Sequence, residues 1–390
     1  MGFLGFCLAL IECLRIVGFL TVQVNYGVIV VMFLLPLVVS ICTCSTRVNL
    51  PMLALAAYIP LNIIIAQPHP IFNSWSRYGL FLVVLSSASP LFENSSLRHF
   101  RIKCLNTFLV AIFILCCISF VCYFIGVNFF SSQYGPVDYR TQAGGFSALF
   151  KHSMVLGPMS AISTCFSFWI FLRTKRKVFL ILAIACLGAT MFSASRSATV
   201  AGALSCIAML YFNKRSKSSF IKAIFIIGII GTLSFPLWQD ALQGIEKKNE
   251  INRELGEYGS RTDKYAARFA EIESHPVFGI GFAAVDPNGD DYYDRHTGVI
   301  EPGSSWLGII SMTGIVGLLL VLLVFIKSFK SLIRSHQPVS VLLIGILAFF
   351  ILHMIFEGYV FAGGSVLCFL LWLSLGVAQD IPYQAEKYSK

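Results

Sequence analysis

Residues 104–130 read CLNTFLVAIFILCCISFVCYFIGVNFF, an apolar run without one charged side chain. A helix needs roughly 20 such residues to cross the hydrocarbon core of a bilayer, so this stretch reads as a membrane span. Comparable runs lie on both sides of it, at 3–22, 25–44, 51–66, 78–92, 153–172, 178–194, 198–212, 223–239, 305–326, 339–357 and 359–379. Those at 51–66, 78–92 and 198–212 are short, so ten to twelve spans are expected. Composition agrees: the 390 residues are 57% hydrophobic and 12% charged, with a mean hydropathy of +0.78. A water-facing domain carries roughly 25% charged residues, twice what is available here. The expected fold is an all-α polytopic membrane protein with about 12 transmembrane helices and one large extracytoplasmic loop containing short helices.

Charge placement sets the expected orientation. With the N-terminus in the cytoplasm, 17 basic residues fall in inside segments, among them Arg47, Arg98, Arg101, Lys103, Arg173, Lys214, Lys327 and Lys390. Outside the long loop only Arg77, Arg140, Lys151 and Arg196 face the other way. Cytoplasmic loops carry the excess of Lys and Arg, so both termini are expected in the cytoplasm. The net charge of +10 is thus a topology signal, and nucleic acid is not expected as a partner. The 12 cysteines avoid the long polar loops and read as small apolar packing residues. They offer no CxxC pair for zinc, so neither metal nor cofactor is expected. No cleavable signal peptide is expected, because the first apolar run carries Glu12 and Arg15.

Asp240–Ser304 breaks the pattern of short connections and holds 13 of the 19 acidic residues with seven basic ones. The chain divides accordingly into nine spans over 1–239, a large periplasmic loop over 240–304, and three spans with a cytoplasmic C-terminus over 305–390. Loops this long beside membrane helices usually carry function.

Two arginines stand where cations are unfavourable. Arg196, in Ser195-Arg196-Ser197, falls at the expected outer start of a span. Arg261, in Ser260-Arg261-Thr262-Asp263, opens what resembles a capping box. A helix N-terminus is partly positive and presents free N–H groups, so an arginine there calls for an anion, which its planar fork can grip in bidentate fashion. The plainer alternative for Arg196 is snorkelling to headgroups. On the helix from Arg261, residues Lys264 and Arg268 share its face, with Ala266, Phe269, Ala270 and Ile272 forming an apolar stripe beside it. That basic face could equally be solvated and balanced by Glu271 and Glu273. Two arginines facing one compartment favour a shared polyanion, and a lipid pyrophosphate is the obvious one in a membrane.

The helix is predicted to stop at His275-Pro276, after which Gly279 and Gly281 permit a tight return to the membrane. Asp286 to Asp290 mimics a calcium loop but lacks its glycine and terminal glutamate, so calcium is rejected. Glu301 and His296 have side chains suited to general-base work near a membrane surface. His152 could hydrogen-bond a sugar, and Glu357 could line a cavity.

Four stretches together resemble the O-antigen polymerase and O-antigen ligase superfamily of lipid-linked glycan transferases. They are Ser193-Ala194-Ser195-Arg196-Ser197-Ala198, Arg261 opening the loop helix, His275-Pro276-Val277-Phe278-Gly279-Ile280-Gly281-Phe282, and Trp306 to Gly317 with its Gly314-Ile315-Val316-Gly317 step. The resemblance implies a glycosyltransferase of the bacterial inner membrane, active on its periplasmic side without nucleotide sugar or metal. Donor and acceptor would be undecaprenyl-pyrophosphate-linked oligosaccharides, with membrane lipids and a chain-length regulator as further partners. Arg196 and Arg261 would neutralise the leaving pyrophosphate, Glu301 or His296 would act as base, and Lys264, Arg268 and His152 would bind substrate. The ligase pattern has a histidine eleven residues before the first glycine of its GxxG step; here that position is Gly303, and His296 lies seven residues earlier. This departure favours the polymerase branch, with the ligase as second reading. A transporter of lipid-linked glycan would need ionisable residues within the spans, which are nearly bare apart from Glu12 and Arg15.

Overall fold

The structure is a computed structural model that describes residues 1–17, 22–43, 45–128, 146–213, 260–287, 293, 294, 296, 298, 300–335 and 337–388. The helices, in chain order, are α1 (Gly2–Ile16), α2 (Val22–Thr43), α3 (Leu50–Ala66), α4 (Ser74–Ala88), α5 (Ser95–Ile125) and α6 (Ser153–Thr174). They continue with α7 (Lys177–Phe192), α8 (Arg196–Phe212), α9 (Ser260–Ser274), α10 (Ser305–Arg334), α11 (Val339–His353) and α12 (Val366–Tyr388). This is the fold of an all-α membrane protein. By length and composition, α5, α6 and α10 can each cross a bilayer, and α3, α7, α8 and α11 are shorter apolar helices. The run at 223–239, the loop residues 240–259 and Arg140 lie outside the described residues.

Helix ends follow local chemistry more closely than apolar runs do. α4 is displaced four residues towards the N-terminus of the run 78–92, because Pro90 forces its predecessor Ser89 into an extended conformation. α5 starts well before its apolar run, where the Asn94 side chain accepts the Leu97 N–H at 2.8 Å. It ends at Gly126, in the left-handed region at φ 75°.

One end of the bundle is closed by a buried polar cluster. Arg101, expected as a loop cation, lies in α5 with 0% exposure. Its Nε and Nη2 donate to the two Asp380 carboxylate oxygens at 2.7 and 2.9 Å. Its Nη1 donates to the carbonyls of Ser89 and Phe92 at 3.0 and 3.1 Å. A bidentate fork with its remaining donor satisfied is the arrangement in which a buried guanidinium is tolerated. Beside it Asn49 donates to Gln379 at 2.8 Å and to Glu93 at 2.7 Å, and Gln379 donates to Ser328 at 3.0 Å. A two-residue ladder, β1 (Arg47–Val48) against β2 (Phe92–Glu93), runs alongside. The cluster ties α3, α5, α10 and α12 together at this end.

Candidate functional site

Packing gathers the candidate residues at the opposite end. The Trp169 indole N–H, late in α6, donates to the Pro338 carbonyl at the start of α11, at 2.8 Å. The start of α6 therefore lies at the same end as the close of α11. A Cβ at Gly157, early in α6, would meet Ser195 at 2.5 Å, which puts the start of α8 there too. The close of α11 is bonded to the start of α10, where the Ser305 N–H donates to Met354 and Glu357 carbonyls at 2.9 and 3.0 Å. His152, Arg196, the loop helix α9 and Glu301 thus share one end of the bundle.

At this end α10 is broken at Gly314, whose φ of 65° and ψ of −171° leave the helical region. An intact helix would bond the N–H groups of 315, 316 and 317 to the carbonyls of 311, 312 and 313. The three carbonyls and the N–H groups of Ile315 and Val316 are instead satisfied from outside the helix, as buried backbone must be. Ile280 and Gly281 donate to the Ser311 and Met312 carbonyls at 2.8 and 3.1 Å, and the Tyr58 hydroxyl donates to Thr313 at 2.7 Å. Ile315 and Val316 donate back to Pro276 and Val277 at 3.0 and 3.5 Å. Asn62 of α3 completes the joint by donating to the Phe278 carbonyl at 2.5 Å. The return expected at Gly279 and Gly281 is therefore a re-entrant segment seated in a discontinuous helix, about 13 Å along the axis from the start of α10. A Cβ at Gly279, φ 71°, would lie 2.5 Å from the Met312 carbonyl carbon. Tyr58 and Asn62 carried no local motif; a lone asparagine inside an apolar run was the available signal.

The loop helix α9 begins at Ser260, so Arg261 lies on its first turn. Lys264 and Arg268 of its charged face are turned inward. Arg268 is 1% exposed, bridges to Glu271 at 2.8 Å and reaches the Ser311 hydroxyl at 3.5 Å. Glu271 accepts the Asp286 N–H at 2.9 Å. Burial pushes the Glu271 carboxyl above its ordinary value, while Arg268 and the Asp286 N–H pull it back. Lys264 bridges to Glu301 at 2.6 Å, tying α9 to the segment before α10, and Glu301 is otherwise 70% exposed. Lys264 and Glu301, both singled out from sequence, are brought into contact.

The remaining candidates stand apart on separate elements. His152 caps α6 by accepting the Met154 N–H on Nδ1 at 3.1 Å. Arg196 is the first residue of α8 and is exposed. His296 is exposed, and its N–H donates to Asp294 at 2.8 Å. Glu357 uses its backbone carbonyl to hold Ser305, whose hydroxyl donates to it at 2.7 Å.

Beneath α9 lies a cavity of about 1000 Å³, bounded by the end of α3, the inner face of α9, the re-entrant segment and residues 284–287. Gln67, His69, Arg268, Glu271, His275 and Asp286 contribute its polar lining. His275, predicted as a helix stop and the first residue of the stretch His275 to Phe282, also lines this cavity.

A helical membrane bundle with a discontinuous span and a charged loop helix at one end defines the class. Residues 181–322 match the family model described as O-antigen ligase, consistent with the O-antigen polymerase and ligase superfamily. The matched region runs from α7 through α8, the loop helix and the re-entrant segment into α10. No curated protein matches the chain.

Proposed function

We propose that the chain is a polymerase that joins undecaprenyl-pyrophosphate-linked repeat units into O-antigen, capsular or exopolysaccharide chains at the periplasmic face of the inner membrane. The observation that carries this reading is the exposed Arg196 on the first turn of α8, with Arg261 on the first turn of α9 at the same end. Each adds a cation to the positive end of a helix, an arrangement an anion relieves. In the reaction an acceptor sugar hydroxyl attacks the donor's anomeric carbon. The bond from that carbon to the pyrophosphate oxygen breaks, and the two guanidinium groups take up the charge that develops on the leaving pyrophosphate. Glu301, oriented by Lys264, receives the hydroxyl proton, and His296 is the second candidate for this step.

The description of the matching family favours a ligase, which would move polymer from the carrier to a lipid core. Gly303 supports the polymerase branch. It occupies the slot of the ligase histidine, takes a φ of 73°, and a Cβ there would lie 3.1 Å from the Lys264 Cβ. A side chain at that position would be strained and crowded.

The test is transfer in membranes by Arg196→Ala and Arg261→Ala variants at matched expression. A charge-assisted hydrogen bond contributes roughly 1.5–3 kcal/mol, and each 1.36 kcal/mol is about tenfold in rate, so turnover should fall at least tenfold in each. Normal chain length in both variants would remove the pyrophosphate assignment.

A further inference from the structure

A second cavity at this end, of about 450 Å³, has a different charge from the one beneath α9. It is walled by Arg77 of α4, by Pro302, Ser305 and Gly308 around the start of α10, and by the turn 358–365 that leads into α12. That volume is ordinary for a small-ligand site. Among the described residues that line it, Arg77 is the one with an ionised side chain, and none is a carboxylate. Glu301 and Glu357 neighbour lining residues in the chain but do not line the cavity, and Glu301 is turned to Lys264.

Three helices begin at this cavity. Arg77 closes the first turn of α4, Ser305 is the first residue of α10, and Gly364 and Ser365 immediately precede α12. Each start adds a partial positive charge. The Arg77 Nη2 donates to the Gly298 carbonyl at 2.5 Å, a bond that orients the guanidinium without neutralising it. A cavity with a guanidinium and no carboxylate in its walls selects an anion. Met312 and Phe361 give it apolar wall as well, which suits a phosphate ester better than a hydrated inorganic ion.

The transferase reading given above, on which this inference rests, needs two such anions at once. Donor and acceptor are both carrier-linked, and their like-charged heads repel unless seated apart. Arg196 and Arg261 account for the donor. Arg77 belongs to another part of the bundle, since α4 packs against α2, α3, α5 and α12, whereas α8 packs against α6, α7 and α11. We infer that the Arg77 cavity is a second anion site, which seats the phosphate head of the acceptor. Glu301 is joined to both sites: its neighbours Ile300 and Pro302 line the cavity, and its carboxylate bridges to Lys264, about one turn along α9 from Arg261.

The inference is tested by equilibrium binding of farnesyl pyrophosphate, a short prenyl pyrophosphate, to the purified full chain in detergent. Wild type should bind two per chain, and Arg196→Ala combined with Arg261→Ala should leave one. In that background Arg77→Ala or Ala362→Glu should weaken the remaining site at least about tenfold, the scale of one charge-assisted hydrogen bond. Ala362 is exposed and lines the cavity, so Ala362→Glu sets a carboxylate against the anion while leaving Arg77 and its bond to Gly298 in place. Lys151→Ala removes an exposed cation of the same end that lies outside the cavity, and binding should not change. Loss of all binding in the combined Arg196→Ala and Arg261→Ala chain would overturn the inference, because the cavity would then be part of the donor's site. So would residual binding indifferent to Arg77→Ala and Ala362→Glu, or lowered as much by Lys151→Ala. Two sites retained in the combined chain would count against the donor assignment alone, and the response to Ala362→Glu would still decide this one.

Discussion

Arg196 and Arg101 are both arginines at helices in a membrane protein, and their surroundings give them opposite work. Arg196 is exposed at a positive helix end. Lysine keeps the charge but loses the planar fork, so Arg196→Lys should transfer nearly as poorly as Arg196→Ala, read as initial rate on carrier-linked substrate. Arg101 is enclosed, and its donors are taken by Asp380 and two carbonyls. Arg101→Ala leaves the Asp380 carboxylate buried without its main partner, which should cost about 3–5 kcal/mol. Thermal unfolding in detergent should show a large drop for Arg101→Ala. Sequence separated these two poorly. Arg196 announced itself through the serines around it and its place at the start of a span. Arg101 looked like any loop cation, since its partner lies 279 positions away.

At the scale of elements, the apolar run 305–326 reads as an uninterrupted span, yet the helix that contains it is two half-helices joined across Gly314. Glycine was legible there, and so was the return at Gly279 and Gly281. What could not be read was that the two glycine steps meet, because each exchanges helical hydrogen bonds for partners far away in the chain. Gly314 occupies a region of conformational space open essentially to glycine alone, and a Cβ would run into the Val277 carbonyl. Gly314→Ala and Gly279→Ala should each cost at least about 3 kcal/mol, from backbone strain together with the clash. Gly79, in α4, has nothing within 4 Å of an added Cβ. Gly79→Ala should be neutral or stabilise by up to about 1 kcal/mol through helix propensity. Yield of monodisperse protein after detergent extraction distinguishes the three. The loop helix teaches the complementary lesson: its period was plain, but which face pointed inward was decided by Ser311 and Asp286, neither of them in its own sequence.

Over the whole molecule, the two ends of the bundle are built differently. One is sealed by interlocking side chains, Arg101 with Asp380 and Asn49 with Gln379. The other is open, with cations on first turns, a broken helix and a large cavity. That asymmetry fits a catalyst that meets its substrates at one face of the membrane and is braced at the other. Apolar runs made the order of the described apolar helices legible because bilayer thickness imposes a length on such runs. The gathering of His152, Arg196, Lys264 and Glu301 at one end follows from alternating helix direction, so it too was readable in outline. Contacts within that end were not, apart from residues that happen to be neighbours on α9. The central claim, that this chain lengthens carrier-linked glycans, is met most directly by the size profile of surface and lipid-linked glycan in cells that lack it. Single repeat units with no longer chains are the expected result. Full-length polymer stranded on the carrier would identify a ligase instead, and an unchanged profile would contradict the transferase account altogether.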